Sequence, residues 1–322
     1  MRAIVIGAGV VGLTTAVTLA ERGAEVTLVE RSGQLGGNAS WLAGGMLAPF
    51  CEGESAPQSV VELGQGAIDW WDARVPGVTR KGTLVIAPPR DAGEIERFAA
   101  RTTSHAPVDE AGIAELEPDL AGRFRKGLFF ADEGHLDPRV ALAALIERLR
   151  ARGGEILLGV DGDALGEMDA VVDCRGWAAR EALPRLRGVR GEMMRIRSRE
   201  VTLARAVRFL HPRIPLYIVP RANNEFMIGA TMIESPEKGA VSVRSAIELL
   251  GAAYALHPAF GEAEILEMSA DVRPAFPDNE PRVEERGGRI FVNGFFRHGF
   301  LLAPAFAARA AELAFERSRA LA

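Results

Sequence analysis

The sequence predicts an α/β fold in which a domain with a parallel sheet is interrupted by a smaller α+β domain. A strand–helix–strand pattern opens the chain, the middle is rich in strands, and the end returns to a strand followed by a helix. Strands joined through a helix run parallel, whereas strands joined by short turns pair antiparallel. We therefore expect both ends of the chain to share one parallel sheet and the middle to form a mostly antiparallel one.

The first unit is predicted from apolar runs and their stop signals. Ala3–Ile6 is a short apolar run that ends at Gly7, as a buried parallel strand does. Val10–Glu21 is predicted to be a helix that ends before Gly23, and Glu25–Glu30 a second strand. After this unit the chain becomes rich in glycine and alanine and loses all periodicity.

A helix start is predicted near the centre of the chain. Asp137 is a favoured N-cap residue, Pro138 suits the first helical position, and Val140–Arg152 has apolar residues at helical spacing. Further on, Leu216–Pro220 and Phe226–Thr231 are predicted to pair as a hairpin. The other predicted elements are strands at Leu84–Ile86, Ile156–Val160, Ala170–Cys174 and Ile290–Asn293, and helices at Glu94–Ala100 and Pro304–Leu321.

Composition indicates an ordinary globular protein of 322 residues. The net charge of −5 and the absence of a Lys/Arg cluster argue against nucleic acid or a membrane as partner. The two cysteines, Cys51 and Cys174, form no CxxC motif, which fits the reducing cytoplasm. Residues 3–20 are uncharged, but their glycines and threonines and the lack of a clear cleavage site argue against a signal peptide.

Gly7, Gly9 and Gly12 have GxGxxG spacing between the first strand and the first helix. In this context the glycines allow a tight turn, a close approach of backbone to a pyrophosphate, and packing of helix on strand. Glu30 ends the second strand, where a carboxylate would hold the ribose hydroxyls. The motif predicts a Rossmann-like dinucleotide site, and by itself it leaves NAD and FAD open.

The stretch after Glu30 separates these two cofactors. NAD enzymes continue into further strand–helix units, whereas this chain runs into RSGQLGGNASWLAGGMLAP. That segment resembles the second FAD segment of the D-amino-acid-oxidase-like FAD-dependent oxidoreductases, and AGGMLAP is similar to the glycine oxidases among them. The resemblance continues through LYIVPRANNEFMIGATM at 216–232, VRPAFPDNEPRV at 272–283 and NGFFRHGFLLAP at 293–304.

The resemblance implies non-covalently bound FAD and an interleaved pair of domains. The Rossmann-like FAD-binding domain would comprise 1–81, 133–187 and 271–322, and the substrate domain 82–132 and 188–270. Besides Gly7, Gly9, Gly12 and Glu30, the implied FAD contacts are Val10, Val11, Arg31, Ala39, Ser40, Gly44, Gly45, Met46, Val160, Phe295, Phe296, Arg297, His298, Gly299, Phe300 and Leu301.

Arg297 stands in an apolar run with no acidic residue nearby in sequence. A buried guanidinium requires an anion, so we expect the substrate or the reduced flavin to face it. The resemblance implies that Arg273 and Tyr217 bind the substrate carboxylate, with Arg297 in the same cleft. His298 is expected to shape the site rather than act as a base, and neither metal-ligand spacing nor GxSxG occurs.

The implied reaction is oxidative deamination of glycine, and of small amines such as sarcosine, to the imine and glyoxylate. No protein acid or base is required, O2 is reduced to H2O2, and the product would supply the thiazole branch of thiamine biosynthesis. Expected partners are the amino acid, O2, a thiazole synthase that receives the product, and further copies of the chain. Two alternatives remain: a related amine or D-amino acid oxidase or dehydrogenase, and a flavoprotein without catalysis.

Overall fold

A computed structural model describes residues 1–162, 168–211 and 215–321. Within these ranges the chain forms one six-stranded sheet, one nine-stranded sheet and a two-stranded ladder. The six-stranded sheet is largely parallel and the nine-stranded sheet largely antiparallel. The predicted α/β class with a second, antiparallel sheet is therefore confirmed.

The six-stranded sheet holds both ends of the chain. Its strand order is β16-β17-β9-β1-β2-β8, and every pairing is parallel except that of β16 with β17. The strands are β1 Arg2–Ile6, β2 Glu25–Glu30, β8 Glu155–Leu158, β9 Ala170–Asp173, β16 Arg282–Arg286 and β17 Arg289–Asn293. β1 lies in the middle with Ala3 to Ile6 buried, which explains its unbroken apolar sequence.

Three long helices pack with this sheet. They are α1 Val10–Glu21, α7 Pro138–Ala151 and α9 Gly299–Leu321, and α1 contacts both of the others. The predicted cap of α7 is confirmed, since the Asp137 carboxylate accepts a hydrogen bond of 2.8 Å from the backbone N–H of Arg139. Leu13, Leu145 and Leu302 belong to the common apolar core.

The nine-stranded sheet comes from the middle of the chain. Its order is β14-β10-β13-β12-β11-β4-β6-β5, with β15 paired to β10 on the other side, and only β4 and β11 pair parallel. The strands are β4 Thr83–Ile86, β5 Ala106–Asp109, β6 Lys126–Phe130, β10 Arg187–Arg197, β11 Ala206–Phe209, β12 Leu216–Pro220, β13 Glu225–Gly229, β14 Ile233–Glu234 and β15 Glu264–Ala275. β12 and β13 form the predicted hairpin.

Shorter elements fill the space around the sheets. α8 Val243–Leu256 covers one face of the nine-stranded sheet and contributes Leu249 and Leu256 to its core. β3 Met46–Leu47 pairs with β7 Gly134–His135. The remaining helices are α2 Pro49–Glu52, α3 Gln58–Gly64, α4 Ala67–Asp72, α5 Gly93–Ala99 and α6 Glu110–Leu116.

The closing helix starts earlier than the sequence predicts. α9 begins at Gly299, so Pro304 lies inside it rather than at its start. Proline has no N–H, which leaves the carbonyl of Phe300, four residues before it, without its helical donor. The indole N–H of Trp71 donates to that carbonyl at 2.8 Å, so the helix can include the proline.

The predicted domain boundaries remain a prediction. The six-stranded sheet uses residues between 2–30, 155–173 and 282–293, whereas the nine-stranded sheet uses 83–130 and 187–275. Residues 163–167, 212–214 and 322, which fall inside the predicted domains, lie outside the described residues. Among the helices that the structure describes, none combines the length and the apolar character needed to cross a membrane.

Candidate active site

A cleft of 1120 Å³ runs from the N-terminal end of α1 to the nine-stranded sheet. Its walls come from α1, from the segment 39–48, from β12 and β15, and from the segment 295–301, which includes the start of α9. Typical pockets for one small ligand measure about 300–1,000 Å³, so this cleft has room for a dinucleotide and a small substrate.

The glycine motif forms the turn that the sequence predicts at one end of the cleft. Gly7 has a φ of +102°, in the region that side chains avoid. A Cβ atom on Gly12 would lie 1.7 Å from the carbonyl oxygen of Gly7, so α1 can approach the turn only with glycine there. The N–H of Val10 donates to Ser40 Oγ at 3.0 Å, which ties the start of α1 to the second predicted FAD segment.

Glu30 is held beside this turn. Its carboxylate accepts from the N–H of Ala8 and from the N–H of Ser32, both at 2.9 Å. A carboxylate has about four lone-pair directions, so acceptor sites remain for a ribose hydroxyl. Arg31 is exposed, and Val160, half-buried, donates its N–H to the carbonyl of Glu30 at 3.3 Å.

Most of the predicted FAD contacts line the cleft. They are Val10, Val11, Ala39, Ser40, Gly44, Gly45, Met46, Phe295, Phe296, Arg297, His298, Gly299, Phe300 and Leu301. The three motif glycines, Glu30, Arg31 and Val160 are not part of its wall. The glycine turn, the fixed carboxylate and the volume of the cleft fit FAD, while each individual contact remains a prediction.

Tyr217 faces the cleft as the alternation of β12 predicts. Its neighbours Leu216 and Ile218 belong to the apolar core of the nine-stranded sheet, and Leu216 also contributes to the cleft wall. A Cβ atom on Gly44 would lie 2.6 Å from the Tyr217 ring, and one on Gly229 would lie 2.8 Å from its hydroxyl oxygen. Burial raises the pKa of Tyr217, so the phenol keeps its proton and can donate a hydrogen bond.

Arg273 extends from β15 across the neighbouring strand β10. A Cβ atom on Gly191 would lie 2.3 Å from its guanidinium, so the close approach requires glycine at that position. Arg273 Nη1 donates to the carbonyl of Thr231 at 3.0 Å, and burial lowers the pKa of the guanidinium. Within the part of the chain that the structure describes, no carboxylate pairs with Arg273.

The other arginines of the cleft are compensated. Arg97 pairs with Glu94, and Arg101 pairs with Glu54 at 3.1 Å. Arg208 lies 3.3 Å from Glu52 and 3.8 Å from Glu54. Arg297 pairs with Glu52, so Arg273 is, among the described residues that line the cleft, the arginine left without a carboxylate partner.

Arg297 has a protein anion that the sequence analysis missed. Its Nε donates to Glu52 Oε2 at 2.8 Å, and its Nη2 reaches Ser55 Oγ at 3.1 Å. The expectation that substrate or reduced flavin would be the counter-ion is therefore wrong for this structure. Glu52 lies 245 positions away in sequence, and no local pattern joins it to Arg297.

Glu52 also meets His298, whose Nδ1 is 3.4 Å from Glu52 Oε2. Burial lowers the pKa of His298 to about 4, against the attraction of Glu52, so the imidazole is neutral near pH 7. Burial by itself would raise the pKa of Glu52. The nearby positive charges, chiefly that of Arg297, outweigh this effect and lower the pKa to about 2. The role of His298 in shaping the site remains a prediction.

Comparison with known proteins places this cleft among related ones. A protein of Rhizobium etli named as a thiamine biosynthesis oxidoreductase, ThiO, is 57% identical over 312 residues, covering 97% of this chain and 95% of that protein. The bifunctional protein ThiO/ThiG of Synechocystis sp. is 28% identical over 348 residues, covering 96% of this chain and 51% of that protein.

A solved structure agrees with the fold. The crystal structure of glycine oxidase from Bacillus cereus ATCC 14579 superposes with a TM-score of 0.82 at 25% identity, covering 98% of this chain and 97% of that one. The family of FAD dependent oxidoreductases, DAO, matches residues 2–313. Because that match spans nearly the whole sequence and the cleft has the turn and walls that FAD requires, this chain belongs to the DAO family of FAD dependent oxidoreductases.

Proposed function

We propose that this protein is an FAD-dependent oxidase that deaminates glycine and small amines such as sarcosine. Glycine, O2 and water would give glyoxylate, ammonia and H2O2 through the imine. The observation that carries the proposal is Arg273, a partly buried guanidinium that lines the cleft with no carboxylate partner among the described residues. A buried, unpaired guanidinium is costly, so a substrate carboxylate is its natural counter-ion.

The chain's own residues would hold FAD at the other end of the cleft. The turn at Gly7–Gly12 and the start of α1 suit the pyrophosphate, Glu30 suits the ribose, and Ser40 fixes the second segment to α1. Segments 39–46 and 295–301 would enclose the flavin. When bound, FAD supplies the hydride acceptor and the group that reduces O2.

The substrate would be held through its carboxylate. Arg273 offers a planar fork of donors, and the protonated hydroxyl of Tyr217 offers one more. The charge of Arg273 acts on the pKa of Tyr217, which supports a shared site for the two side chains. Arg297 lies in the same cleft, but Glu52 compensates its charge, so we assign the carboxylate to Arg273.

Neither of the two titratable groups beside Arg297 is suited to be a strong base. His298 is a weak base because its pKa is about 4, and the Glu52 carboxylate is a poor base because its pKa is about 2. The residues would therefore bind and orient the amino acid with its Cα–H towards the flavin and exclude water. Orientation of this kind contributes a large share of rate enhancement without proton transfer by the protein.

Further parts of the proposal concern place and partners. The ThiO/ThiG fusion supports a role in thiamine biosynthesis in which the product passes to a thiazole synthase. Cys51 and Cys174 are free and buried, which supports a cytoplasmic location. We also propose that the chain forms homo-oligomers and that its two domains interleave with the predicted boundaries.

A peroxide assay tests the reaction. Purified holoenzyme is supplied with glycine, sarcosine, D-alanine or D-proline in air, and we expect H2O2 to form fastest with glycine or sarcosine. Flavin that is bleached anaerobically by a substrate but gives no peroxide in air would indicate a dehydrogenase. Flavin that none of the four compounds bleaches would contradict an amino acid oxidase.

The attachment of FAD has its own test. Neither cysteine lies in the segment predicted to meet the flavin, and His298, which does, is buried against Glu52. We therefore expect acid precipitation of the holoenzyme to leave the yellow colour in the supernatant. A yellow pellet would show a covalent bond instead.

A further inference from the structure

Glu52 occupies a position in the cleft that the binding of one carboxylate does not explain. It is the last residue of α2, and its side chain is 16% exposed. One oxygen accepts from Arg297 Nε at 2.8 Å, and the other lies 3.3 Å from Arg208 Nη1. A single carboxylate thus compensates two guanidinium groups that reach it from distant parts of the chain.

The same carboxylate acts on the substrate end of the cleft. Glu52, Tyr217, Arg273 and Arg297 all line this cleft, and the charges of the other three act on the pKa of Tyr217. The charge of Arg297 also lowers the pKa of Arg273. With Glu52 ionised, that space holds one guanidinium available to an external anion and a second that is already paired.

We propose that Glu52 is a specificity-determining residue that limits the cleft to substrates with one negative charge. The inference rests on the proposed function, in which Arg273 binds the substrate carboxylate. A second carboxylate on the substrate would meet the ionised Glu52, and like charges brought together oppose binding. Glu52 also prevents Arg297 from binding that second carboxylate through its planar fork of donors.

Glu52→Gln is the informative change, because it removes the charge and keeps an acceptor oxygen for Arg297. Binding of acetate and of malonate to the holoenzyme is measured from the flavin absorbance and by calorimetry, so the result does not depend on turnover. In the wild type we expect acetate to bind more tightly than malonate. In the variant we expect malonate to bind about 10- to 100-fold more tightly than in the wild type, with acetate changed by about threefold or less.

Glu94→Gln is the matched control. Glu94 also lines the cleft and pairs with an arginine, but its partner Arg97 is largely exposed. We expect the ratio of malonate to acetate affinity to remain at the wild-type value in this variant. A comparable rise of the malonate-to-acetate affinity ratio in Glu94→Gln would indicate an effect of the overall charge of the cleft. It would overturn the assignment to Glu52.

A second variant tests the same idea with the opposite sign. Arg297→Gln leaves the charge of Glu52 less compensated, so malonate should bind still more weakly relative to acetate than in the wild type. This result supports the proposal even where Glu52→Gln does not fold. Equal changes for malonate and acetate in the folded variants, or a wild type that binds neither, would overturn it.

Turnover distinguishes the two proposals. Peroxide formation from glycine and from iminodiacetate is measured for the wild type and for Glu52→Gln. A wild type inactive on glycine contradicts the proposed oxidase, yet the malonate-to-acetate ratio still decides the role of Glu52. An active wild type whose preference for glycine over iminodiacetate is unchanged in Glu52→Gln contradicts the role of Glu52 alone.

Discussion

At the scale of single residues, the arginines of the cleft differ in whether a carboxylate faces them. Arg97 is paired and its side chain is 65% exposed, whereas Arg273 is partly buried and lacks such a partner among the described residues. An exposed ion pair contributes about 0–1 kcal/mol, but a buried charge that binds an ion contributes far more. The two arginines should therefore respond very differently to truncation.

Arg273→Ala should raise the KM for glycine by about two to four powers of ten, because the substrate carboxylate loses a buried charge-assisted partner. FAD content, measured from the absorbance of the purified protein, should stay near that of the wild type. Arg97→Ala serves as the control, with a KM within about twofold of wild type. A near-normal KM for Arg273→Ala would move the carboxylate site elsewhere.

At the scale of elements, the sequence predicts well those parts whose signal is local. β2 and α1 have the predicted limits, because their apolar runs and stop residues lie within a few positions. β10 was not predicted, since four arginines interrupt its sequence. In the fold Arg190 pairs with Glu192, while Arg195 pairs with Glu225 on the neighbouring strand, so the strand tolerates these charges.

Residues of the site were likewise predicted only where the sequence carries a local signal. Tyr217 and Arg273 were predicted through motifs, and alternation along β12 places Tyr217 in the cleft. The sequence does not identify Glu52 as a site residue, because its role depends on the ion pair with Arg297. That pair forms only in the folded chain. Pairings between distant positions have no local signal in a single sequence.

The start of α9 gives a prediction at this scale. Trp71→Phe should lower the free energy of unfolding, because the carbonyl of Phe300 would become a buried acceptor without a partner, at a cost of about 1–3 kcal/mol. In the background of Pro304→Ala the same change should cost less, since alanine restores the helical N–H. The coupling is read from a double-mutant cycle of urea unfolding curves.

Trp70→Phe is the control for that cycle. Trp70 packs edge-on against Trp71 but is only partly buried, and its indole N–H donates to no helix carbonyl among the described contacts. Its effect should be the same with and without Pro304→Ala. If Trp71→Phe also shows no coupling to Pro304, the indole does not replace the missing helical donor.

At the scale of the whole molecule, Glu133 links the nine-stranded sheet to the elements around the cleft. It follows β6, is 1% exposed, and its Oε1 accepts from the N–H of Cys51 in α2 at 2.7 Å. Its Oε2 has no hydrogen-bond partner within the described ranges. Burial accordingly raises the pKa of Glu133 from 4.5 to about 7.

This pKa shift predicts how global stability depends on pH. Between pH 4.5 and 7 the unfolded chain releases the Glu133 proton while the folded chain retains it, so stability falls as pH rises through this window. Glu133→Gln stays neutral at every pH and can still accept from Cys51. The free energy of unfolding of Glu133→Gln, relative to that of the wild type, should therefore increase by about 3 kcal/mol between pH 4.5 and 8.

The measurement is a series of urea unfolding curves at pH 5, 6, 7 and 8 for both proteins. Any fixed cost of the amide in the buried site cancels, because only the change of the difference with pH is compared. Asp132→Asn, at the exposed neighbouring position, is the control and should differ from wild type by a nearly constant amount. A constant difference for Glu133→Gln as well would mean that Glu133 is ionised in the folded protein, with a partner that stabilises its charge.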